Sequence, residues 1–402
     1  MAGPLAGIKI VDLSNVLMGP FATQQLGDMG AEVVKVESAA GDLIRYASPG
    51  RSKGMSSLFL NNNRNKRSIV LDLKQAEGIE VLLRLVADSD VLVSNMRADA
   101  MLRLGLSYDD VRAANDKIIY VTCTGFGKGG PYDGRPAYDD LIQTMAGIPS
   151  LIARAYDEEP KYLPSNFCDR VTGLKVVGAV TAALFYRERT GKGQAVDIPM
   201  LESMVEFVMS DHLAGHTYEP PTERTGYQRI VNPNRRPYQT KDGYLALLVY
   251  SDKQWTEFFK IIGQPEKASE EPFCSMTSRG ENIVEVYQFV REVLATRTTD
   301  EWIEIFEHSD MAYAPVQELE DLLDDAHLKA VDFFPEHAHP SEGKIRTTAI
   351  PGDWSESEPE LKCDAPRLGQ HSREILLELG YSDENVKSLA DKNVTSLADD
   401  VG

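Results

Sequence analysis

The chain has 402 residues, 42% of them hydrophobic and 26% charged, the composition of a folded globular protein rather than a disordered or fibrous one. Its 42 Lys and Arg against 62 Asp and Glu leave a net charge of −20, a field that repels phosphate backbones and anionic bilayers, so neither nucleic acid nor membrane is an expected partner. An anionic small molecule stays open only where positive residues cluster.

The opening residues hold no positively charged start followed by an apolar signal core, and no stretch approaches the roughly 20 apolar residues that span a bilayer; a cytoplasmic location is expected. Cys123, Cys168, Cys274 and Cys363 lie far apart without a CxxC pair, which fits reduced thiols. Ile8 to Leu13 is a short β-branched run and reads as a strand, followed by a small-residue loop and a helix from Ala22 to Met29. The cycle repeats. Glu32 to Val36 is a strand, Ala76 to Ala87 has helical spacing through Ile79, Leu82, Leu83 and Val86, and Val91 to Val93 and Ile118 to Thr122 are strands. Alternating strands and helices predict an α/β core with a mostly parallel sheet and ligands at the carboxyl ends of its strands.

Arg170 to Arg187 reads as one long helix closed by Thr190-Gly191-Lys192-Gly193, and Ala195 to Ile198 as a strand. Residues 219–237 are rich in Pro, Arg, Asn and Thr without periodicity and read as a linker. A smaller α+β unit follows, from a strand at Gly243 to Val249 through helices at Trp255 to Ile262 and Ile283 to Leu294, and beyond Pro315 the chain reads as a return path.

Few motifs carry chemistry on their own. Gly125-Phe126-Gly127-Lys128-Gly129-Gly130 follows a strand, but Pro131, Gly134 and Pro136 bar a helix before about Tyr138, so the nicotinamide fingerprint lacks its phosphate-binding helix start. There is no Walker loop, no G-x-S-x-G elbow and no HExxH spacing among the seven histidines, so no metal site is expected. Asp169 stands just before the long helix. There it either caps the free amides of the first turn or, held ionised by the helix dipole, serves as a nucleophile; spacing alone leaves both open. Asn61 to Arg67 is a basic, polar run, followed by Lys74, Asn95, Arg97 and Arg103, and is either a solvated surface loop or a phosphate-binding rim.

Gly7 to Ser14 with Gly19-Pro20, Leu26 to Glu37 with Gly41-Asp42 and Arg45, and Asn65 to Leu73, taken in order, resemble the class III CoA-transferases, the formyl-CoA and carnitine CoA-transferase group. Thr124 to Gly127 with Gly130-Pro131-Tyr132, Arg135 to Asp139, Asp169 with Thr172-Gly173, Thr190 to Gln194 with Val196-Asp197, and Ala365 to His371 continue the match.

The resemblance implies a Rossmann-like large domain built from both chain ends, a small α+β domain, long linkers and an interlocked homodimer. Residues 1–218 would begin the large domain, 219–237 form a linker, 238–315 the small domain, and 316–402 the return into the large one. It also implies CoA transfer from an acyl-CoA to a carboxylic acid, with Asp169 as the nucleophile passing through a mixed anhydride and an aspartyl-CoA thioester. Coenzyme A is then a substrate, and no tightly bound cofactor is expected. Arg45, Lys74, Asn95, Arg97, Arg103 and Tyr138 are the CoA contacts that the resemblance implies; Met18, Arg229 and Arg235 are candidate substrate contacts.

Two departures stand out. Ser38 replaces an arginine that contacts the nucleotide in the formyl-CoA branch, and the glycine-rich loop of that branch has no counterpart in residues 225–237, which turns the expectation away from formyl-CoA and oxalate. The related α-methylacyl-CoA racemases carry a histidine where Tyr138 stands here, and a phenol with an ordinary pKa near 10 is a poor base, so transfer is favoured over racemisation. A non-catalytic acyl-CoA binder is the remaining alternative, and the acceptor acid stays open.

Overall fold

A computed structural model describes residues 3–397, which divide into two compact units. The first takes in the chain up to Ala146, Leu163–Phe207 and the chain from Ala330 onward. Its centre is a six-stranded sheet of β1 (Lys9–Asp12), β2 (Glu32–Glu37), β3 (Lys66–Val70), β4 (Val91–Ser94), β5 (Ile119–Thr124) and β6 (Gln194–Pro199). Every pairing is parallel and the order is β3-β2-β1-β4-β5-β6. Helices cover such a sheet on both faces, which is why β1, β2, β4 and β5 are runs of Val and Ile rather than alternating. The strand order reverses between β1 and β4, so the loops leaving those two strands open the crevice where doubly wound sheets place ligands.

One face of the sheet packs Val11, Val34, Val36, Ile69 and Leu92 against Val81, Leu82 and Val86 of the Ala76–Ala87 helix. The same cluster includes Ile375, Leu376, Val386 and Leu389 from two helices near the end of the chain, Ser372–Glu378 and Asp383–Asp391. The returning chain also closes the sheet edge at β3. The His371 N–H donates to the Ser68 carbonyl at 3.0 Å, Ser372 Oγ accepts the Val70 N–H at 3.2 Å, and Thr395 Oγ1 donates to the Val70 carbonyl at 2.7 Å.

Three sequence expectations change. The first helix is Met18–Asp28, beginning four residues before Ala22, because Pro20 is tolerated in a first turn whose amides have no helical partner. The basic run Asn61 to Arg67 is neither a solvated loop nor an open rim: its end forms β3, and Asn62 to Lys66 are buried. Arg64 pairs with Asp28 at 2.9 Å and Lys66 with Asp12 at 3.0 Å, partners that no local pattern reveals. The long helix is Phe167–Thr190, so Asp169 lies inside its first turn rather than before it. Its end is as expected: Gly191 has φ +72° and donates to the Arg187 carbonyl at 2.7 Å.

The second unit comprises Gly147–Tyr162 and Val208–Lys329. An antiparallel sheet of β7 (Tyr238–Gln239), β8 (Tyr244–Leu248) and β9 (Ala312–Pro315) turns Leu245 and Leu247 inward, with Tyr244, Ala246 and Leu248 exposed between them. Aromatic rings fill its core: Trp255, Phe258, Phe259, Phe273, Trp302 and Phe306. The helices Asp252–Ile261 and Thr299–Phe306 start with reciprocal caps, Ser251 with Gln254 and Thr298 with Glu301. A two-stranded hairpin in the first unit, β10 (Glu336–His339) and β11 (Gly343–Arg346), completes the strands.

Candidate active site

At the strand-order reversal the turns after β1 and β4 are tied together. The Asn15 N–H donates to Asn95 Oδ1 at 2.9 Å, and Asn95 Nδ2 donates to the Asn15 carbonyl at 2.7 Å. The next residue, Val16, has φ +70°, a strained conformation for a β-branched side chain. Its N–H is held by Asp42 Oδ1 at 2.9 Å, so the turn is over-determined by contacts from two directions. That turn launches the Met18–Asp28 helix, and the long helix packs on it where Gly173 leaves room. A Cβ at Gly173 would lie 2.8 Å from the Phe21 ring and 3.1 Å from the Met18 carbonyl oxygen.

The close approach brings the head of the long helix to Met18. Asn166 provides no side-chain cap there. Instead the Asp169 N–H donates to Asp139 Oδ1 at 3.0 Å, so one free amide of the first turn is capped by a carboxylate thirty residues away. Asp139 opens the Asp139–Met145 helix and is fixed in turn by Gln143, whose Nε2 donates to its Oδ2 at 2.7 Å. The other end of the Gln143 amide accepts the Leu163 N–H at 2.9 Å, gripping the segment that leads into the long helix. Both Asp139 and Gln143 are buried.

Asp169 is therefore neither a cap nor a carboxylate held ionised by the helix dipole. Burial, with the negative charge of Asp139 beside it, pushes its carboxyl up to about 7. Arg170 and a hydrogen bond from the Met18 backbone pull the other way and lose. Arg170 is itself held, with Nη1 2.6 Å from Asn62 Oδ1 and its guanidinium 4.5 Å from the centre of the Phe21 ring. A shielded carboxylate poised near neutrality, beside the crevice of a parallel sheet, is an arrangement suited to nucleophilic acyl chemistry.

The family is decided by the match along the chain: residues 5–372 fit the pattern of CoA-transferase family III. The chain belongs to that family. This transferase is 35% identical to a succinyl-CoA:glutarate CoA-transferase of Mus musculus over 95% of this chain and 87% of that protein. It is 32% identical to a succinate–glutarate CoA-transferase of Agrobacterium fabrum, over 94% of this chain and 96% of the other. Among solved structures, a CaiB/BaiF family protein from Brucella suis matches with a TM-score of 0.79 and 32% identity, covering 94% of this chain and all of that one. The mixed α/β fold with its parallel six-stranded sheet matches that CaiB/BaiF structure, and the transferase acts on CoA thioesters. Among the described residues, no helix is long and apolar enough to cross a membrane.

Of the residues singled out in the sequence, the transferase brings Met18 and Asp169 together, Met18 being buried at the start of its helix. Asn95 is engaged with Asn15. Arg45 faces inward: Nε and Nη2 both meet Glu37 at 2.8 Å, Nη1 donates to the Gly54 and Pro366 carbonyls, and the guanidinium lies 3.7 Å over the Phe59 ring. Its polar edge is committed to the fold instead of to a phosphate. Lys74, Arg97 and Arg103 are exposed, the last paired with Asp99 at 2.8 Å. Tyr138 is exposed beside the buried Asp139, and Arg229 and Arg235 belong to the second unit. Sequence reasoning passed over Asp139 and Gln143 as functional residues. Their i, i+4 spacing was visible, but what they hold, Leu163 and Asp169, lies 20 and 30 residues further on.

Proposed function

We propose that the transferase moves CoA from succinyl-CoA to a short dicarboxylic acid, with Asp169 as nucleophile. Relatives named for succinate and glutarate support the donor and acceptor class. The observation that carries the role of Asp169 is its buried carboxyl at the first turn of the long helix, with its amide taken by Asp139.

The ionised Asp169 attacks the thioester carbonyl; the C–S bond breaks, and the products are an aspartyl mixed anhydride and CoA thiolate. The thiolate attacks the Asp169 carbonyl carbon, the anhydride C–O bond breaks, and the donor acid leaves behind an aspartyl-CoA thioester. The acceptor carboxylate reverses the sequence: it forms a second anhydride and frees the thiolate, which takes the acceptor acyl group and restores the Asp169 carboxylate. Each step exchanges one activated acyl group for another, so the route calls for neither ATP nor a metal, only the exclusion of water. A carboxylate raised toward 7 is a stronger nucleophile than an ordinary one and is still about half ionised at neutral pH.

Lys74 and Arg97, in the segments that follow β3 and β4, are the groups we assign to the CoA phosphates, with Arg103 and Tyr138 beside the path of the nucleotide. The large and small domains of the interlocked homodimer and a cytoplasmic location belong to the same reading; light scattering that gives the mass of one chain would overturn the dimer. Incubation with succinyl-CoA, trapping with hydroxylamine and peptide mass spectrometry test the covalent route. A hydroxamate at Asp169, absent in Asp169→Ala together with a loss of turnover of at least about 10⁴-fold, is the expected result. Turnover that survives in Asp169→Ala would sink the proposal.

A further inference from the structure

The second unit holds a cavity of about 270 Å³ whose lining does not include Asp169. Its floor is apolar: Leu247 from β8, Trp255 from the Asp252–Ile261 helix, and Val286 and Val290, one turn apart on the Ile283–Leu294 helix, are all buried. At its mouth Tyr227 and Tyr250 are about half exposed, an aromatic rim of the kind that marks a binding surface.

Two arginines line this space, and they differ. Arg279 is engaged, with Nη1 2.6 Å from the Phe273 carbonyl oxygen and an ion pair to Asp252. Arg229 has no carboxylate within ion-pair distance among the described residues. Its neighbours are phenols: Tyr287, Tyr250 and Tyr227 surround it, and its guanidinium stands 5.1 Å from the centre of the Tyr250 ring. Tyrosines orient a guanidinium without neutralising it. In a chain of net charge −20, an arginine mounted this way over an apolar floor is arranged for an anion from outside.

We propose that this cavity is a binding site for a small monocarboxylate with an apolar body, such as an arylalkanoate, with its carboxylate on Arg229 and its ring against Trp255 and Val290. The walls exclude other anions. The second carboxylate of a dicarboxylic acid would be stripped of water among Leu247, Val286 and Val290, and the other arginine of the lining, Arg279, is already taken by Asp252 and the Phe273 carbonyl. A phosphate ester carries more charge than one guanidinium balances. The volume lies near the lower end of the range for ligand pockets, which limits the body to about a single ring. The site stands whether or not Asp169 is the nucleophile.

Isothermal titration calorimetry of the full-length protein with 3-phenylpropanoate tests it, in the parent and in Asp169→Ala. Saturable binding of one molecule per chain is expected in both. Arg229→Gln should weaken it at least about tenfold, the loss of one charge-assisted contact. Val290→Trp should abolish it by filling the space, Arg229→Lys should restore part of it, and 3-phenylpropanol and glutarate should bind far more weakly than 3-phenylpropanoate. The absence of saturable binding to the parent, as when a second copy of the chain closes the cavity, overturns the proposal. So does binding that Arg229→Gln leaves intact, that glutarate matches, or that Asp169→Ala removes.

Discussion

At the end of β1, Asp12 is fully buried, with Lys66 Nζ 3.0 Å from one oxygen, Thr23 donating at 2.7 Å and Ser14 donating from both its N–H and its hydroxyl. At the head of the long helix Asp169 is buried almost as completely, yet the charged group that raises it is another acid, Asp139. Burial works against ionisation in both places. For Asp12 it is outweighed by Lys66 and Lys35, and the carboxyl is driven well below the usual range; for Asp169 nothing outweighs it. Removal from water does not by itself make a carboxylate reactive. The identity of its neighbour decides whether it becomes a fixed anion of the core or a group poised to change state near neutrality.

The sharpest way to break this comparison is to take the cation from Asp12. Lys66→Met leaves its carboxylate with Lys35 alone and should cost about 3–5 kcal/mol in a urea melt, the cost of a buried ion stripped of its partner. A loss near zero would mean that the pair contributes nothing to the fold. Next comes Asp169 itself, where the sign runs the other way. Its folded carboxyl binds a proton more tightly than the ordinary value of 3.8, so the stability it contributes is full below that pH and declines as pH rises toward about 7. Asp169→Asn should therefore melt a few degrees above the parent at pH 8 and level with it at pH 4, whereas Asp12 contributes stability above its ordinary value and loses it as acid is added. Equal melting temperatures at pH 8 would place Asp169 in a wetter setting than its burial implies. The smallest effect tests the neighbour: Asp139→Asn keeps an oxygen for the Asp169 N–H but removes the charge, so the rise of kcat/KM with pH, centred near 7 in the parent, should move to lower pH. An unmoved midpoint would assign the whole shift to burial.

What could be read in advance followed from local pattern. The Ala76–Ala87 and Ile283–Leu294 helices and the strands β1, β2, β4 and β5 carry their periodicity on their own residues, and they lie where the sequence puts them to within a residue or two. β3 was hidden because Asn65, Lys66 and Arg67 look like a solvated loop until Asp12, Asp28, Glu374 and Glu378 arrive from distant segments. Asp169 was legible as a residue with two readings, and both assumed that the helix begins after it. With the helix beginning at Phe167, the capping role passes to Asp139, whose contact spans thirty residues and has no local signature. The cavity of the second unit was equally hidden. Arg229 could be picked out in a basic stretch, but Trp255, Val286 and Val290 meet only after three elements pack.

The strap of chain that closes the edge of β3 bears on how this molecule is made. On the ribosome the six strands emerge well before the residues that cover the open side of β3, His371 to Thr395. Until then the nascent sheet presents a bare hydrogen-bonding margin beside unfilled apolar surface, the state in which strands pair with the wrong neighbour. A premature stop ahead of the Ser372–Glu378 and Asp383–Asp391 helices would leave Asp169 untouched and still yield a chain prone to precipitate, so this late segment guards the solubility of the sheet made before it.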